Sequence, residues 1–176
     1  MAKHEEALYA LRGANLTVKS EVLRNINERH VLSLPEFYIS PGGSEHHHNY
    51  RHGLVIHVNE VMRNVLYMTN DNPSDELITA VLWHDLMKTR DYDLFLWDGQ
   101  VTKLPYRKLI NHVAGSAMEF HRVCFALLPK EQLERIEHLL LSHHGRKEWG
   151  SPVEPATAEA FILHAADMMS SRGVNL

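Results

Sequence analysis

The sequence predicts an all-α fold. Apolar residues recur at helical spacing almost throughout, clusters of Pro, Gly, Asn and Asp divide the chain into helix-length pieces, and neither an internal repeat nor a low-complexity linker splits it. At 176 residues the chain fits one domain over residues 1–176, with N-terminal helices and a loop to residue 45 and a core from 46 to 172. The spacing predicts helices over residues 5–11 and 18–31, with Asn15 or Thr17 starting the second. Residues 34–50 lose the period. They carry Pro35, Pro41, Gly42 and Gly43, end in His46, His47 and His48, and read as a long ordered loop of the kind that often serves function. Leu54, Val55, Val58, Val61, Met62, Val65 and Leu66 then mark a helix over 53–69, stopped at Asp71-Asn72-Pro73. Ser74 caps the next, which runs through residue 87. Within 91–102, Trp97-Asp98-Gly99 is a turn signal for a short hairpin or an irregular loop. Three helices follow, over 106–128, 130–142 and 156–172, with Pro129 at a first helical position and Pro155 near the start of the last.

Composition sets limits on function. Hydrophobic residues at 44% and charged residues at 23% are ordinary for a soluble globular protein. The net charge of −4 argues against a protein wrapped in nucleic acid, though not against a small basic cleft. The lone cysteine, Cys124, lies among apolar residues and cannot form an intramolecular disulfide, which fits a reducing cytoplasm. With neither an apolar signal core nor a membrane-length apolar run, the expectation is a cytoplasmic protein without membrane attachment, its oligomeric state open, a homo-oligomer included.

Histidine is the outlier, with 14 in the chain. His4, His30, His121 and His138 read as surface residues, but the remainder fall beside helix signals. His84-Asp85 follows the apolar stretch Val81-Leu82-Trp83, which should enter the core, where a carboxylate is costly unless paired with a cation or metal. His57 and His112 lie on helices with apolar faces, His143-His144 closes a helix just before Gly145, and Asp167 sits on an otherwise apolar helix face. Singly, each has a structural alternative as a satisfied buried or surface side chain. Jointly they offer imidazole and carboxylate donors suited to Mn, Fe, Ni, Co or Zn, and a metal so held can turn water into a nucleophile at neutral pH.

The order His57, His84-Asp85, Asp167 resembles the defining motif of the HD-domain phosphohydrolase superfamily. The likeness runs from about residue 46 to residue 172, although Arg51-His52 and Ile56 depart from the Gly-Leu-Leu-Glu-His pattern common around the first histidine. Two segments, residues 142–152 and Pro155-Ala156-Thr157-Ala158-Glu159-Ala160, are similar to the HD domain of YhaM-type 3′-to-5′ exoribonucleases. The resemblance implies a helical bundle with a metal site between helices. His57, His84, Asp85 and Asp167 would hold a first divalent ion, and Asp85 would bridge to a second held by His112, His143 and His144. It further implies hydrolysis of a phosphoester, in a nucleotide or a short single-stranded RNA or DNA, by a metal-activated hydroxide. Asp85 and Lys88 are then the candidate catalytic side chains, although Met87 stands where the family often has the glycine of a Gly-Lys pair. Lys88, Arg146, Lys147 and Arg51 are candidate substrate contacts, with His46, His47 and His48 at the cleft mouth and Trp149 available to stack on a base. His52, five residues before His57, is off the ligand face. The chain lacks room for the OB domain of the exoribonucleases, which, with the acidic balance, favours a small nucleotide-like substrate. Two other readings keep the fold: a di-iron oxygenase using much the same donors, and a nucleotide sensor that binds without turnover.

Overall fold

The longer helices form close to where the apolar period predicts them, and Ser20, Ser74, Asn111 and Thr157 each start a helix by accepting from a backbone N–H of its first turn. The computed structural model describes residues 1–43, 47–93 and 102–173. In chain order the helices are α1 (Lys3–Thr17), α2 (Glu21–Asn27), a π-helical turn (Glu28–Leu32), α3 (Pro35–Ile39), α4 (Gly53–Met68), α5 (Asp75–Trp83), α6 (Lys88–Asp91), α7 (Tyr106–Leu109), α8 (His112–Cys124), α9 (Lys130–Ser142) and α10 (Ala158–Ser171), with a 3₁₀ turn at Lys147–Trp149. No strand occurs among the described residues, so the architecture is the expected all-α bundle. No described helix is long and apolar enough to cross a membrane.

At the centre lies α4, packed by α1, α3, α5 and α10. Leu54, Val55, Ile56, His57 and Val58 are buried in succession, as happens only when every face of a helix is covered. On the other side α9 joins α5 and α8. The Trp83 and Phe120 rings meet edge to face with centroids 5.1 Å apart. Trp83 is fully buried, and its indole N–H donates to Asn27 Oδ1 at 2.9 Å. The Asn27 amide in turn donates to Asn15 and Thr79, tying α1, α2 and α5 through one satisfied polar cluster.

Several boundaries differ from the sequence reading, each for a local reason. The first helix runs to Thr17, and α2 starts instead behind Ser20, whose Oγ accepts from Leu23 N. Pro35 seeds the short α3 inside the expected loop, since its fixed φ suits a first helical turn. The helix after Ser74 ends at Trp83, and residues 84–87 form turns that carry the His-Asp pair into the bundle. The predicted 106–128 helix is broken at Asn111, which has a left-handed φ of 61° and caps α8 by accepting from Val113 N at 2.8 Å. Pro129 is the residue before α9 rather than its first, and Thr157 moves the start of α10 past Pro155. The Trp97-Asp98-Gly99 turn and His46 lie outside the described residues, but the flanks of the former pair in antiparallel fashion at Tyr92 and Lys103.

Candidate metal centre

Five elements converge on one buried point. α4 supplies His57, the turns after α5 supply His84 and Asp85, the N-terminus of α8 supplies His112, the end of α9 supplies His143 and His144, and α10 supplies Asp167. All seven residues expected from sequence therefore meet. They form two donor groups, one of Asp85, His112, His143 and His144 and the other of His57, His84 and Asp167, with the donor atoms of each group within 4.8 Å of one another.

Asp85 lies between them. Its Oδ2 is 3.2 Å from His57 Nε2 and 3.4 Å from His84 Nε2, while its Oδ1 is 3.5 Å from His112 Nε2 and 3.8 Å from His143 Nε2. Asp167 Oδ1 approaches His57 Nε2 at 3.1 Å. Asp85 Oδ1 and His143 Nε2 are buried without a hydrogen bond, while Asp85 Oδ2 meets Lys88 Nζ at 2.5 Å. Unpaired polar atoms at the centre of a core are expensive unless something else satisfies them. Five imidazoles and two carboxylates with inward-facing donors fit divalent cations, and no apolar or hydrogen-bonding role accounts for them as well.

The outer ring nitrogens explain why the inner ones face inward. Nδ1 of His84 donates to the Val81 carbonyl, and that of His143 to the Leu140 carbonyl, each at 2.7 Å. His144 Nδ1 donates to the Trp149 carbonyl at 2.8 Å. His112 Nδ1 donates to Asp91 Oδ2 at 3.0 Å, and His57 Nδ1 to Ser170 Oγ at 2.9 Å, with Ser170 donating onward to Glu60. A proton fixed on Nδ1 leaves a lone pair on Nε2, the tautomer a metal requires. Asp91, Ser170 and Glu60 were not foreseen from sequence. The available signal was spacing: Ser170 and Glu60 each lie three residues beyond a candidate ligand, Asp167 and His57, on the same helix.

Two glycines make room for this convergence. Gly145 takes φ +82°, turning the chain sharply after His144, and a Cβ there would collide with the His164 ring. His164 itself is structural, its Nδ1 donating to the His143 carbonyl at 2.8 Å. Gly53 opens α4 where a Cβ would strike the His48 carbonyl, so the loop carrying His47 and His48 lies flat against the helix.

Charge follows these contacts. Burial pushes His143 and His144 down, so both imidazoles stay neutral. Burial works against the Asp85 carboxylate, but Lys88 and the neighbouring imidazoles outweigh it and hold the group well below its usual range. Asp167 is lowered in the same way by His57. His57 has burial opposing its protonation and the two carboxylates favouring it, and is held up at about 9. Lys88 is raised by Asp85 and Asp167 in spite of its burial.

Beside the centre opens a cleft of about 330 Å³, lined in part by His47, Lys88, Tyr92, Arg107, Trp149 and the edges of His112, His144 and Asp167. Of the expected substrate contacts, Lys88 faces this cleft, and Arg146 stacks over the Trp149 ring at 4.9 Å. Arg51 and Lys147 are exposed and do not line it; His48 instead pairs with Glu60 at 3.0 Å. His52 bonds the Tyr38 carbonyl and stacks on His4, outside both donor groups.

The family model described as HD domain matches residues 54–171, which contain all seven converging side chains. Proteins named 3′-5′ exoribonuclease YhaM are similar to this chain. One from Listeria monocytogenes is 34% identical over 142 residues, covering 77% of the chain and 44% of the relative. Those from Bacillus pumilus and a Geobacillus species are 32% identical over 152 residues and 29% identical over 179, the latter alignment covering 98% of the chain and 52% of the relative. The chain thus spans about half the length of these relatives. No solved structure matches it.

Proposed function

The chain belongs to the HD-domain family, and from that premise we propose that it is a metal-dependent phosphohydrolase that cleaves a phosphoester in a nucleotide or a short single-stranded nucleic acid, RNA before DNA. The observation that carries this reading is Asp85: a fully buried carboxylate whose two oxygens are turned toward different sets of imidazoles, with Lys88 against Oδ2 and no hydrogen bond to Oδ1. His57, His84, Asp85 and Asp167 would hold one divalent ion, and Asp85, His112, His143 and His144 a second. When bound, two such ions activate water at neutral pH and neutralise charge on a phosphate.

The remaining work falls to the protein's own groups. Of the three N–H donors on Lys88 Nζ, one meets Asp85 and one the Gly42 carbonyl at 2.6 Å, leaving the third for a phosphate oxygen in the cleft. His47, pushed down to about 4 by burial and by Lys88, is neutral and can share a hydrogen bond without repelling a cation. Orientation of the imidazoles is fixed in advance by Asp91, Ser170 and main-chain carbonyls, so little reorganisation accompanies binding. The names of the relatives favour RNA over the small nucleotide that composition alone favours.

The test is a hydrolysis screen on bis(p-nitrophenyl) phosphate, nucleotides, cyclic nucleotides and short RNA and DNA, with Mn²⁺ or Ni²⁺ supplied. Metal-stimulated turnover that falls at least about 10³-fold in Asp85→Ala is expected, loss of a group on which the whole constellation depends. Oxygen consumption without phosphate-ester cleavage would replace the hydrolase with the oxygenase reading. Tight nucleotide binding by the metal-loaded protein with no turnover would make it a sensor.

A further inference from the structure

We propose that Arg107, seated over Tyr92 on the wall of the cleft, is a specificity-determining contact for a second substrate phosphate, so that the site selects a phosphodiester-linked chain over a mononucleotide. The proposal rests on the hydrolytic reading above and supplies its substrate class.

The observations are independent of the metal ligands. Arg107 lines the same cleft as Lys88, His112 and Asp167, yet it belongs to neither donor group. Its guanidinium lies 5.9 Å from the centroid of the Tyr92 ring, within the range of a cation–π contact. Among the described residues no carboxylate pairs with it, whereas Lys88 is committed to Asp85. An arginine with no acid partner, half-buried in the wall of a cleft that already has one buried lysine, is placed for an anion from outside.

The seat is also well fixed. Tyr92 is only 3% exposed, and the backbone on both its sides is bonded across, Asp93 N to the Thr102 carbonyl at 2.9 Å and Leu104 N to the Asp91 carbonyl at 2.8 Å. Asp91, which orients His112, therefore immediately precedes the aromatic that supports Arg107. One strand of chain ties the ligand's orientation to the position of the cation.

A nucleoside monophosphate has a single phosphate, which the metal ligands and Lys88 would engage, leaving Arg107 without a partner. A nucleoside triphosphate and an oligonucleotide both bring a further phosphate. Trp149 favours the chain: the residue is 44% exposed at the same cleft, with Arg146 on one face of its ring, and offers a surface on which a base can stack. The cleft, at about 330 Å³, is at the small end for ligand sites, suited to one nucleotide of a single strand and too small for a duplex.

The experiment compares wild type, Arg107→Gln and Arg107→Lys, metal content verified for each, on a short oligoribonucleotide, ATP, a nucleoside monophosphate and bis(p-nitrophenyl) phosphate. The expected result is that kcat/KM for the oligonucleotide relative to bis(p-nitrophenyl) phosphate falls about tenfold or more in Arg107→Gln, mainly through KM, as for loss of a charge-assisted hydrogen bond. Arg107→Lys should restore part of it. An unchanged ratio, or a loss confined to ATP, would overturn the proposal. Binding of a fluorescein-labelled phosphorothioate oligoribonucleotide separates the two readings. Should wild type bind it yet hydrolyse none of the four substrates above, the hydrolase reading fails, while the Arg107 contact stands on about tenfold weaker binding of the phosphorothioate in Arg107→Gln and falls without it.

Discussion

Asp85 and its neighbours were legible as residues because the chemistry of burial is visible in one dimension: an acid directly after Val81-Leu82-Trp83-His84 has to be compensated. The groups that orient the ligands were not legible. Ser170 and Asp91 are ordinary polar residues until folding brings Ser170 to His57, 113 positions away, and Asp91 to His112, 21 positions away. Their importance is testable. Ser170→Ala removes the acceptor of the His57 Nδ1 proton and the donor to Glu60, and should weaken metal affinity about 10–100-fold with the fold intact, read by chelator competition and circular dichroism. Cys124 gives the opposite kind of prediction. It is fully buried, and burial with Glu137 nearby pushes its thiol up to about 12. A raised thiol pKa means the reactive thiolate is scarce at every ordinary pH, so iodoacetamide should leave the native protein unmodified at pH 8 and label it only on unfolding.

At the scale of elements, apolar periodicity located the major helices, and the errors cluster at their ends. Periodicity is nearly continuous from Tyr106 to Leu128, but Asn111 adopts a left-handed φ and starts a new helix, which puts His112 in the first position of α8, beside Asp91. With ψ at 162° that conformation is one only glycine adopts freely, and the asparagine side chain offsets part of the strain by capping α8. Asn111→Ala should therefore cost about 0.5–2 kcal/mol in denaturant unfolding for the lost cap, while Asn111→Gly, which relieves the strain as it loses the cap, should cost less than half as much. Equal losses in the two variants would deny the backbone its share. The turn at residues 84–87 was hidden for a related reason. Apolar Leu86 and Met87 sustain the helical pattern across it, and both do enter the core, but from a turn.

For the molecule as a whole, the all-α class followed from the period of the apolar residues, whereas the way the N-terminal helices attach to those carrying the candidate ligands did not. That attachment includes the Asn15–Asn27–Thr79–Trp83 cluster, whose members are spread from residue 15 to residue 83 and carry no mutual sequence signal. Asn27→Ala would leave the Trp83 indole N–H and the Asn15 carbonyl oxygen buried without partners, and should destabilise the protein by about 2–4 kcal/mol. Because one core joins α1 to α10, unfolding should remain a single transition in which loss of the N-terminal helices and loss of the site coincide.

The central proposal is that seven side chains form two metal positions that share Asp85. Metal analysis after reconstitution with Mn²⁺, Fe²⁺, Ni²⁺, Co²⁺ or Zn²⁺ and removal of free ions tests it most directly, on wild type and on His144→Ala, which lies in one donor group only. Close to two ions per wild-type chain and close to one in the variant is the predicted result. Wild type that retains none of these metals, or a variant that retains as much as wild type, would contradict it.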